Sequence, residues 1–133
     1  MNNMQGLYYA FGQLAYAVAA SDGSVQEEEK LVLHDLLKQT VEEHNLDFNY
    51  SEIVFNLLEK DHIHVELAYE WAMREFKLNE YYLTEEKKRD FIYILERIAE
   101  AKPPVTSEEK SIIDCFKEEI AELKADPVFT NAV

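Results

Sequence analysis

The chain of 133 residues carries 27 Asp and Glu against 13 Lys and Arg, a formal net charge of -14. That length fits one domain, and the charge argues against nucleic acid and against an anionic membrane surface, since both need a cationic face. With 47% apolar and 12% aromatic residues, the chain can fill a core and does not read as disordered.

The first helix is predicted from Met4 to Ser21, with Leu7, Phe11, Leu14, Ala15 and Val18 on one face. Asp22-Gly23 ends it, Gly23 being a natural left-handed exit. Ser24 and Glu27 read as a capping box opening the second helix, with Val32, Leu33, Leu36 and Leu37 inward and fraying expected near His44-Asn45. Asn49 with Glu52 repeats the signature ahead of Ile53, Val54, Leu57 and Leu58. Asp61 is expected to cap a fourth helix bearing Val65, Ala68, Trp71, Ala72 and Phe76. Thr84 opens a fifth, with Phe91, Ile92, Leu95, Ile98 and Ala99 inward, and Pro103-Pro104 stops it. Thr106 and Glu109 form another capping box before Ile112, Ile113, Phe116, Ile120 and Leu123, and Asp126-Pro127 ends that last helix.

Strand-like alternation is absent, so the expected fold is all-α, a compact bundle of about six helices. A single domain is expected over residues 1–125, with residues 126–133 as a loose C-terminal tail. No run approaches the ~18 apolar residues of a membrane span, and Met1 to Gly6 lack the basic and apolar regions of a leader. A soluble cytoplasmic protein without membrane insertion is the expectation. The lone Cys115 permits no intrachain disulfide and is expected to fill a small core space in the last helix.

The two terminal helix pairs resemble each other. A gapless shift of 80 positions sets Phe11 on Phe91, Ala19 on Ala99, Val25 on Val105, and Glu28-Glu29-Lys30 on Glu108-Glu109-Lys110. Shared helical period accounts for the apolar matches but not for the common Val-x-x-Glu-Glu-Lys. Two related αα-hairpins packed about a pseudo-twofold axis are therefore expected, with the middle helices filling the remaining side.

The string from Ala19 to Glu29 resembles the second half of an EF-hand loop, with Asp22, Gly23 and Glu29 at matching places. Val18 and Ala20 stand where side-chain oxygens would be needed, so the loop falls short of the six to eight oxygens calcium takes. The residual candidate is an acidic patch of Asp22, Glu28, Glu29 and Glu109, whose carboxylates would suit calcium, magnesium or manganese. Glutamates in a first helical turn also serve capping and the helix dipole, with no metal involved. Carboxylates crowded in this way would hold raised pKa values and make the fold more stable as pH falls toward 5. The four histidines lack the paired Glu-x-x-His of di-iron bundles. No nucleophile motif or Gly-rich phosphate loop occurs.

Leu14-Ala15-Tyr16-Ala17-Val18-Ala19-Ala20-Ser21-Asp22-Gly23-Ser24-Val25-Gln26-Glu27-Glu28-Glu29 resembles the signature helix pair of the TerB-like family, the tellurite-resistance protein B group. Ile98 to Lys110 resembles that family's second half. The resemblance implies a compact helical fold without catalysis, an association with stress-response and tellurite-resistance systems, and a divalent-cation site of acidic residues. Asp22, Glu29 and Glu109 match the acidic positions, while Lys102 and Pro103 replace the second Asp-Gly. The expectation is thus a non-enzymatic module that binds a divalent cation or a protein partner, the alternative being a metal-free acidic interaction module.

Overall fold

The computed structural model describes residues 3–42 and 48–130. The chain folds as α1 (Asn3–Ala20), α2 (Glu27–Glu42), α3 (Phe48–Lys60), α4 (Val65–Leu78), a 3-10 turn (Glu80–Tyr82), α5 (Glu85–Glu100), α6 (Ser107–Ala121) and the short α7 (Pro127–Thr130). Six long helices make one bundle, with no strand among the described residues. No described helix is long and apolar enough to cross a membrane.

The bundle is built around α1. From Leu7 to Ala20 every residue of this helix except Tyr9 and Gly12 is a buried hydrophobic or, at Gln13, a buried amide. The sequence row Leu7, Phe11, Leu14, Ala15 and Val18 is fully buried, and so are Ala10, Ala17 and Ala19 on the other faces. A helix apolar all round must be enclosed. Here α3 and α4 pack most extensively on α1, and α5 and α6 also pack on it.

The two halves related by the 80-residue shift meet at a pair of equivalent residues. Phe11 and Phe91, equivalent positions, stack with centroids 4.7 Å apart and planes at 15°. An element touches its own equivalent only near a twofold axis, so this stack marks the pseudo-axis. The cross-contacts are reciprocal: α1 packs on α6, and α5 packs on α2. Phe48 adds edge contacts to Tyr8 at 4.7 Å and to Phe91 at 6.0 Å, extending the aromatic centre into α3.

Several helix starts differ from the sequence expectation. In α2 the first turn begins two residues after the Ser24 box, with Gln26 as the flanking residue: Glu29 Oε1 accepts from Gln26 N at 2.7 Å. Ser24 Oγ instead accepts from the Gln26 side chain. In α3 the helix is already formed at Phe48, so Asn49 lies inside it, and Glu52 pairs with His34 Nδ1 at 2.6 Å. The expected fraying at His44-Asn45 lies outside the described residues. Asp61 closes α3 rather than opening α4, its N–H donating to Leu57 O, and α4 begins at Val65 after a left-handed His62 (φ 51). Thr84 and Thr106 do cap α5 and α6, and Thr106 with Glu109 forms the full capping box. In α3 the buried row is Phe48, Ser51, Val54 and Phe55, which leaves Ile53 and Leu57 exposed. After α6, Asp126 N donates to Tyr81 O and Pro127 opens one helical turn.

Gly12 sets the distance between α1 and α3. A Cβ there would collide with Ser51 O and lie 2.9 Å from Ser51 Cα, both backbone atoms that cannot swing aside. The same approach lets Ser51 Oγ donate to Tyr8 O at 2.6 Å. Gly12→Ala should therefore destabilise by about 1–3 kcal/mol through overpacking, despite the ~1 kcal/mol that alanine gains over glycine inside a helix. Urea unfolding checks this, and a variant as stable as the parent would show that the helices do not touch at Gly12.

Candidate functional site

The acidic helix starts converge in part. Glu29 and Glu109, equivalent under the 80-residue shift, are both buried, each 2% exposed. Each occupies the third position of its helix and accepts from the backbone N–H three residues earlier, Gln26 N in α2 and Thr106 N in α6. Glu109 Oε1 also lies 3.0 Å from the Thr106 hydroxyl. The local sequence therefore dictates where both carboxyls point, since each turns back to satisfy an orphan N–H of its own first turn. The pseudo-axis then brings the two close enough for Glu109 to act on the Glu29 carboxyl.

Two carboxylates cannot both stay charged in such a place. Burial raises the Glu29 pKa from 4.5 to about 8; its bond from Gln26 N works against the rise, and Glu109 and then Asp22 add to it. At neutral pH the Glu29 carboxyl is thus largely protonated. This junction is a pair of buried carboxyl groups, and it joins the first turns of α2 and α6.

The other two acidic candidates stand apart. Asp22 is exposed and acts on Glu29 only through its field. Glu28 is exposed on the first turn of α2. Lys102, at the place of Asp22 in the second half, reaches across to donate to Gln26 Oε1 at 3.0 Å. Among the described residues no group of three or more His, Cys, Asp or Glu is arranged to hold a metal ion. The donor set also fits poorly, because a hard cation wants several deprotonated oxygens, and here one buried carboxyl is protonated while both already accept backbone N–H groups.

A second feature was not visible in the sequence. A cleft of 1420 Å³ opens between α4 and α6. Val65, Glu66, Tyr69 and Glu70 form the α4 wall, and Glu108, Ser111, Ile112 and Cys115 form the α6 wall, each set spaced as one helical face. Tyr16 and Ala20 of α1 form the floor, and the turn from Lys60 to His64 closes one end. Tyr16 Oη donates to Ile63 O at 2.7 Å, which fixes that turn to the floor. Tyr69 Oη donates to Glu119 Oε2 at 2.9 Å and bridges the two walls. Burial, then the Glu119 carboxylate, pushes the Tyr69 hydroxyl above its ordinary pKa, so it stays a donor.

Cys115 is exposed on this wall and does not fill the core. The buried row of α6 is Glu109, Ile113, Phe116 and Ile120, and residue 115 falls off that row. No family model matches the chain, and no curated protein or solved structure matches it either.

The junction makes stability depend on pH. The folded-state pKa of Glu29 lies above its unfolded value, so its proton stabilises the fold fully below about 4.5, and that contribution is lost as pH rises through about 8. Tm should fall by about 3 °C or more between pH 6 and pH 8.5. Glu29→Gln, which keeps an acceptor for Gln26 N and a donor for Glu109, should flatten that slope and raise Tm at pH 8.5. A slope equal in parent and variant would mean that the two carboxyls do not meet.

Proposed function

We propose that the chain is a non-enzymatic, TerB-like helical module that binds a protein partner through an acidic surface without a metal, in a stress-response or tellurite-resistance-type system. The observation that carries the binding role is the cleft between α4 and α6. Its 1420 Å³ exceeds the ~300–1,000 Å³ of small-molecule sites, which favours a polypeptide. Its floor is aromatic and aliphatic, and Glu66, Glu70 and Glu108 stand exposed at its edges. The net charge of -14 steers basic partners toward it. The system assignment rests on the resemblance of Leu14 to Glu29 and of Ile98 to Lys110.

The side chains in the cleft support binding rather than catalysis. Nucleophilic chemistry at Cys115 needs a base within about 3.2 Å. His62 and His64 line the same cleft, yet no hydrogen bond joins either to Cys115 among the described residues. The donor set at Asp22, Glu29 and Glu109 favours the metal-free form of this reading over a cation site.

Two measurements test it. Titration calorimetry with calcium, magnesium or manganese to millimolar concentration should give no saturable heat. A saturable heat that disappears in Asp22→Ala would replace the metal-free reading with a cation site. Affinity capture from cell extract should retain a partner equally with and without chelator. Failure to retain any protein would remove the partner-binding role.

A further inference from the structure

We infer that the cleft between α4 and α6 is a groove for one amphipathic helix of the partner, with an apolar stripe flanked by Lys or Arg. This rests on the partner-binding reading and specifies the partner's form and chemistry. The argument starts from what the walls lack. The two walls do not pack extensively on each other; they are held apart over the α1 floor and joined by the Tyr69–Glu119 bond. A space between two helices that share a floor is where a bundle would hold a further helix. The form of the occupant follows from the backbone. No strand occurs among the described residues, so no sheet edge is offered to an extended peptide. A helix satisfies its own backbone groups and presents only side chains to the groove.

The chemistry of the occupant follows from how the lining is divided. Tyr16, Ile63, Val65 and Ile112 supply apolar surface that is half-buried or better. Around it stand Glu66, Glu70 and Glu108, none of which has an ion pair within the described residues. Glu59 is neutralised by Lys30 at 2.7 Å, so it is not part of this unpaired set. Among the described residues Lys60 is the one Lys or Arg in the lining. An apolar centre with acidic edges complements a helix whose Leu-type anchors recur at i, i+3, i+4 and i+7 between cationic flanks. A second copy of this chain would bring a further charge of -14 to the same surface, which disfavours self-association there.

The test uses the full chain and three synthetic amidated peptides. One is an amphipathic helix of Leu and Lys, the second a scramble of the same residues, and the third the same pattern with Glu for Lys. Binding is read by amide chemical-shift titration. The Leu–Lys helix should shift Tyr69, Ser111 and Cys115, and should bind at least about tenfold more tightly than the scramble or the Glu peptide. The double variant Ser111→Arg/Cys115→Arg crowds and recharges one wall at exposed positions, so the fold should persist and binding should fall at least about tenfold. Asp35→Arg makes the same change in net charge on α2, at an exposed position outside the cleft, and should change binding less than threefold. Equal binding of the helix and the scramble, shifts centred away from the cleft, or equal losses in both variants would each overturn the inference. A chelator-indifferent partner captured at another surface would leave the partner-binding reading standing and remove this one alone.

Discussion

Every other feature of this protein depends on a helix that has no polar side. From Leu7 to Ala20, α1 exposes only Tyr9 appreciably. Such a segment gains most when it is surrounded, at about 25 cal/mol for each Å² of apolar surface removed from water. The remaining helices are arranged to do that. The small residues of α1, among them Gly12, Ala15 and Ala19, let neighbours approach closely, and Ser51 of α3 comes into backbone contact at Gly12. Near the end of α1, the buried Tyr16 and Ala20 line the cleft.

The negative charge divides into two populations with different physics. Glu29 and Glu109 are spent on the fold: each accepts a first-turn N–H, and the pseudo-axis presses them together until one must hold a proton. Removing a charge in this way costs less than burying two anions side by side. Glu66, Glu70 and Glu108 stay exposed at the edge of the cleft. The first population joins the two related halves, and the second is available to a partner.

Much of this was readable from the sequence, and the failures have physical causes. The helical period gave α1, α5 and α6 their inward rows, and the 80-residue shift anticipated a pseudo-twofold, on which the aligned Phe11 and Phe91 stack. Glu29 beside Glu109 with a raised pKa was anticipated too, on repulsion between carboxylates, whereas burial by helices distant in sequence is the larger cause. Ser24 is a better capping residue than Gln26. Both have Glu three residues on, and the tertiary pairing of Glu29 with Glu109 selects the later start. Asp61 looked like a helix opener because four residues to Val65 are enough for either a turn or a cap. Cys115 was assigned to the core on a period that cannot tell a true buried row from its neighbour one step away, and it faces the cleft. The cleft itself needed α4 and α6 placed in space, since nothing local ties Tyr69 to Glu119.

The central claim is that the conspicuous acids at the two helix starts form a protonated structural junction, which leaves the cleft as the working surface. Carbon-13 titration of the glutamate side-chain carboxyls measures this directly. The account predicts a Glu29 midpoint near 8, unmoved by millimolar magnesium or calcium. A midpoint in the ordinary carboxylate range, or one driven down when a cation displaces the proton, would contradict it.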